Sequence, residues 1–164
     1  MDKLRRLIQL VAGIHDRSIK MKSLFDISGK TAIVTGGSSG IGAMIARGFV
    51  ENGVKTYISA RKEGPLHETA EDLSTIGTCI PVQADLSSVE GIEKLVADVS
   101  AQESHIDILI NNAGANWVVP IDEFPEAGWD KVMSINIKSI FFMTQKALPL
   151  LRANATPEDP ARVI

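Results

Sequence analysis

From Lys30 onward, short apolar runs alternate with longer stretches in which apolar residues recur every three or four positions. That alternation is the pattern of parallel strands joined by crossover helices, and it constrains the fold more than any single motif does. Thr31–Thr35 reads as a first strand and Ile41–Val50 as a helix, with Asn52-Gly53 suited to a left-handed cap. Val54–Ser59 reads as a second strand. The next helix starts near Pro65, buries Leu66, Ala70, Leu73 and Ile76 on one face, and ends at Gly77. A third strand, Cys79–Ala84, contains Pro81, which cannot donate a ladder hydrogen bond and so belongs at a sheet edge.

Ser87 with Glu90 three residues later has the form of a capping box, and Val89, Ile92, Leu95, Val96 and Val99 then form one helical stripe. The unbroken Ile106–Ile110 suits an interior strand covered on both faces. A long helical region begins near Pro125 and keeps its periodicity from Trp129 to Leu151, with Pro149 expected to disturb its end. Ala161–Ile164 has the character of a fifth strand beginning. These readings give an α/β chain with its third strand at a sheet edge and the start of a fifth strand at its end.

Residues 1–22 differ from the rest: Leu4, Leu7, Ile8, Val11 and Ile14 fall at helical spacing, with Lys3, Arg5 and Arg6 among them. This segment is expected to be an amphipathic extension, poorly ordered, with Met21 as an alternative start and residues 23–164 as the folded domain. Its apolar run is too short for a membrane span. The net charge of -3 supplies no basic field for a polynucleotide, so no nucleic acid is expected as a partner. The single cysteine, Cys79, and three scattered histidines suggest neither an internal disulfide nor a metal site. A reduced, cytoplasmic protein is the expectation.

The chemistry concentrates where strands end. Thr35-Gly36-Gly37-Ser38-Ser39-Gly40-Ile41-Gly42 lies between a strand and a helix, where exposed backbone N–H groups and a helix N-terminus can receive a pyrophosphate. Such spacing is weak evidence alone; its position after a strand and before a helix is what points to a dinucleotide. The glycine spacing resembles the TGxxxGxG turn of classical short-chain dehydrogenases/reductases. Asn111-Asn112-Ala113-Gly114, directly after the fourth strand, matches that family's NNAG segment. The resemblance runs from about Leu24 to Ile164.

It implies a Rossmann-like doubly wound parallel sheet, with strand order 3-2-1-4 plus the start of strand five, and an NAD(P)-binding domain. Gly36, Ser38, Ser39, Gly40, Ile41 and Gly42 would cradle the diphosphate, and Asn112, Ala113 and Gly114 would face the ribose. Asp85 and Leu86 match the positions that contact and flank the adenine. Where NAD users place an acid at the end of the second strand, this chain has Ser59-Ala60-Arg61-Lys62, and Arg61 suits a 2′-phosphate. NADP(H) is therefore the expected cofactor, with NAD(H) the weaker alternative. Asn136 falls on or beside the apolar helix face and matches the active-site asparagine that helps position the family's catalytic lysine through a water.

In the family a Ser…Tyr-x-x-x-Lys set after the fifth strand completes catalysis, whereas the one tyrosine here, Tyr57, lies in the second strand and reads as a packing residue. The chain is thus expected to be a cofactor-binding half that reduces nothing alone, its complete protein acting on a small-molecule carbonyl as a homo-dimer or tetramer. The stretch from Trp129 to Arg152, with Asp159–Ile164, looks most like the 3-oxoacyl-[acyl-carrier-protein] reductases linked to rhamnolipid synthesis, which implies a 3-oxoacyl thioester. A generic secondary-alcohol dehydrogenase, or a module that binds NADP(H) without turnover, remains open.

Overall fold

The computed structural model describes residues 25–164, so the expected amphipathic extension over residues 1–22 lies outside the described residues. Five strands, β1 (Thr31–Thr35), β2 (Lys55–Ala60), β3 (Cys79–Gln83), β4 (Ile108–Ile110) and β5 (Arg162–Val163), pair in parallel in the order β3-β2-β1-β4-β5. Between them run α1 (Gly40–Glu51), α2 (Glu63–Ser74) and α3 (Val89–Ser100). After β4 come a single 3₁₀ turn (Ile121–Glu123), α4 (Glu126–Met133), a π-helical turn (Ser134–Lys138) and α5 (Ser139–Arg152). This is the open, doubly wound α/β sheet that the alternation implies.

Strand side chains point alternately to opposite faces, and each face has its own core. On one face Ile33, Tyr57, Val82 and Leu109 join Ile92, Leu95 and Val99 of α3 and Met143, Ala147 and Leu151 of α5. On the other, Ala32, Val34, Ile58 and Ile108 pack against Ala46 and Val50 of α1 and Leu66, Ala70 and Leu73 of α2. Coverage on both faces explains why the inner strands are continuous apolar runs. Pro81 does lie on the outer strand β3. Burial pushes the Cys79 thiol up to about 11, which leaves it protonated and unreactive at neutral pH.

Four local expectations are corrected. The cap of α3 is Ser88, not Ser87: its hydroxyl accepts from Gly91 N at 3.1 Å, while Ser87 turns back to Asp85. Ile76 is largely exposed, because α2 ends at Ser74 and releases it from the apolar face. Pro149 sits inside α5 and does not end it; buried Leu150 and Leu151 hold the last turn to the core despite the missing N–H. The long helical region is broken by the π turn, in which wider i→i+5 spacing makes room around Asn136.

Candidate cofactor-binding cleft

The carboxyl ends of β1, β2, β3 and β4 open onto a cleft of about 990 Å³. Open α/β sheets bind ligands at this edge, where strand order reverses. At one wall the chain leaves β1 through Gly36, whose φ of 67° is left-handed and excludes most side chains. Gly42 lies directly beneath: a Cβ there would stand 2.2 Å from Gly36 O and 2.5 Å from Asn112 Nδ2. Only a glycine lets α1 approach the turn so closely. Ser39 occupies the N-cap of α1 with extended backbone and makes no side-chain cap bond, so the first-turn N–H groups are left for an anion.

Thr35 locks the two glycine-bearing loops together. Its buried hydroxyl donates to Ile110 O at 3.1 Å and accepts from Asn112 N at 2.9 Å and Ala113 N at 3.0 Å. Asn112 returns its side-chain amide to Thr35 O at 3.0 Å and Gly36 O at 3.3 Å. The turn after β1 and the loop after β4 therefore form one rigid wall. A further strut reaches it from α2, where the Thr69 hydroxyl donates to Ser38 O at 2.9 Å.

Of the residues singled out in the sequence, Gly36, Ser38, Ser39, Arg61, Leu86, Asn112, Ala113 and Gly114 line this cleft. Gly40, Ile41 and Gly42 form the start of α1 behind the turn, and the Ile41 side chain is 66% exposed. Asp85 is exposed beside Leu86, its carboxylate accepting from Ser87 N at 3.0 Å and Ser87 Oγ at 2.8 Å. Those bonds, the backbone one first, with the nearby Arg61 charge, hold it below the ordinary carboxylate range. Asn136 lies in an adjoining depression with Gly114, Ala115 and Ile140. Its Oδ1 accepts from Ala115 N and its Nδ2 donates to Ala115 O, both at 2.9 Å. Both ends of the amide are thereby used on the loop after β4.

Ser59 and Lys62, which flank Arg61 in the stretch read for cofactor choice, also face the cleft. So do Ser87, Lys131 and Ser134, to which the sequence reading gave no cofactor role. Lys131 lies with its ammonium 5.2 Å from the Trp117 ring, and the Ser134 hydroxyl donates to Ser87 O at 3.0 Å, drawing α4 over the loop after β3. The three-residue spacing of Lys131 and Ser134 was legible, but not that this helix face closes a cleft rather than meeting solvent. Thr35 opens the glycine motif in the sequence, but the partners of its hydroxyl were not legible there. Among the described residues no group of three or more His, Cys, Asp and Glu side chains is placed to hold a metal, and no helix is long and apolar enough to cross a membrane.

Comparison with known proteins agrees with this geometry. Residues 30–157 match the short chain dehydrogenase family. The chain is 44% identical over 144 residues to the rhamnolipids biosynthesis 3-oxoacyl-[acyl-carrier-protein] reductase of Pseudomonas aeruginosa, covering 88% of this chain and 56% of that protein. Among solved structures, the Pseudomonas aeruginosa RhlG/NADP active-site complex superposes with a TM-score of 0.82 at 45% identity, over 85% of this chain and 54% of that one. L-sorbose reductase from Gluconobacter frateurii, complexed with NADPH and L-sorbose, gives 0.75 at 34% identity, over 79% and 50%. The chain thus spans about half the length of the relatives it matches.

Proposed function

The chain belongs to the short-chain dehydrogenase family, and from that premise we propose that its cleft binds a nicotinamide dinucleotide, NADP(H) in preference to NAD(H), for carbonyl reduction by the complete protein. The observation that carries this is the pairing of two cleft features. A glycine turn closed down on an uncapped helix N-terminus lies at one wall, and Arg61 with Lys62 lies at another. The first suits a diphosphate and the second a 2′-phosphate, with the apolar Ala84 and Leu86, which follow the outer strand β3 beside Arg61, for a base. When bound, the dinucleotide supplies the hydride.

This chain's own residues bind and orient. Thr35 and Asn112 hold the wall against the diphosphate, Leu86 flanks the base, and Asn136 fixes the loop at Ala115. Tyr57 is not the proton donor: it is fully buried, and its Oη donates to Glu103 Oε1 at 2.5 Å. The 164 residues are accordingly proposed to bind the cofactor without turning over a ketone. Identity to the rhamnolipid-type reductase supports a 3-oxoacyl thioester as the complete protein's substrate. Ile137 and Phe141, 59% and 62% exposed on one flank of the long helical region, support subunit pairing there.

Calorimetry on the wild-type chain and Arg61→Ala tests the cofactor reading. NADPH affinity is expected to fall about 10- to 100-fold in the variant, the range of one charged hydrogen-bonding group, while NADH binding is unchanged. Equal loss for both dinucleotides would overturn the 2′-phosphate assignment, and wild-type protein that binds neither would overturn the cleft's function.

A further inference from the structure

Among the described residues, the one buried side-chain polar atom with no hydrogen-bond partner is Ser59 Oγ. Ser59 lies in β2 with 0% relative exposure, yet it forms part of the cleft wall. Its backbone is fully engaged, with its carbonyl accepting from Gly37 N at 3.1 Å, so the strand is held in place beside the glycine turn. Two other buried hydroxyls of the sheet are used internally: Thr35 bonds Ile110 O, and Thr56 bonds Val54 O. A buried hydroxyl left without a partner is destabilising, and folded chains seldom retain one that nothing satisfies.

The position of Ser59 indicates what would satisfy it. Strand alternation puts Ile58 in the core against α1 and α2, and Tyr57 in the core against α3 and α5. Ser59 follows Tyr57 by two residues and is in register with Val82, so its side chain is directed to the face that carries Val82, Ala84 and Leu86. That is the apolar wall at the end of β3, next to Arg61 at the end of β2. Resting on the cofactor reading above, we infer that the Ser59 hydroxyl hydrogen-bonds the adenosine portion of the bound dinucleotide, a polar anchor beside the apolar side chains of Val82, Ala84 and Leu86.

This role is separable from that of Arg61. An adenosine anchor serves NADPH and NADH alike, whereas a 2′-phosphate ligand serves NADPH alone. In calorimetry Ser59→Ala is expected to weaken both dinucleotides by the same factor, about 2- to 10-fold, the range of one neutral hydrogen bond. The unliganded variant should melt at the wild-type temperature or slightly above it, because the hydroxyl has no partner to lose. Unchanged affinity for both dinucleotides would overturn the inference, as would a loss confined to NADPH. A fall in the melting temperature of the unliganded protein would assign the hydroxyl to the fold instead. Failure of the wild type to bind either dinucleotide would condemn the cofactor reading itself and is told apart by that control.

Discussion

Thr35 shows how much one side chain can carry. Its hydroxyl satisfies one carbonyl of the neighbouring strand β4 and two N–H groups of the loop that follows it. Valine has nearly the same shape and none of the bonds, so Thr35→Val strands two buried donors at the wall of the cleft. At about 1–3 kcal/mol for a buried group left unpaired, a loss of roughly 2–4 kcal/mol is expected in urea unfolding, with weaker dinucleotide binding. A variant as stable as wild type would show that water replaces the hydroxyl. The sequence made Thr35, Gly36 and Asn112 visible as motif members, but it did not show what the Thr35 hydroxyl would bond. Its role depends on a partner 75 residues away, and no local pattern encodes that distance.

Among the elements, the π turn between α4 and α5 departs most from its sequence pattern. Apolar residues recur through it without interruption in the sequence, but in the structure only Ile135 is buried, while Ile137 and Ile140 are exposed. The widened turn carries Asn136 to the backbone of Ala115, and the Ser139 hydroxyl bonds back to the Ile135 carbonyl beside it. Asn136→Ala removes both bonds to Ala115. The expected cost is about 1–2 kcal/mol, and hydrogen exchange at the Ala115 amide should accelerate while amides of β1 stay protected. Uniform acceleration across the sheet would instead mean that the turn supports the whole domain. Helix boundaries elsewhere shifted by one to three residues, since Ser87 and Ser88 are equally plausible caps until the chain around Asp85 is placed.

Charge ties the molecule together at its periphery, and the signs of its pKa shifts set a pH window. Asp159 is held low by the Lys30 ammonium, and Asp85 by Ser87. Burial works against ionisation of Glu103, but its bonds from Lys55 and Tyr57 outweigh it and lower its pKa. Groups lowered in the folded state stabilise above their unfolded pKa, near 4, and that stability disappears as pH falls through the folded values. Tyr57 runs the other way: burial first, then the Glu103 bond, raises its phenol, so its contribution is complete below about pH 10 and is lost above it. Urea midpoints should therefore be level between about pH 5 and 9.5 and fall on both sides, and Tyr57→Phe should flatten the alkaline limb. An alkaline limb unaltered in that variant would assign it to another group. As for the division of labour, the sequence alone determined the α/β class, the edge position of β3 and the two glycine-bearing loop motifs, because periodicity, proline and glycine act through neighbours a few residues apart. Only the tertiary structure decided that Thr35 joins two loops, that Asn136 grips Ala115 from a π turn, and that Ser59 is left unpaired at the cleft. Those outcomes depend on which groups meet across the sheet, and hydrogen bonding in a packed interior is settled by proximity in space rather than along the chain.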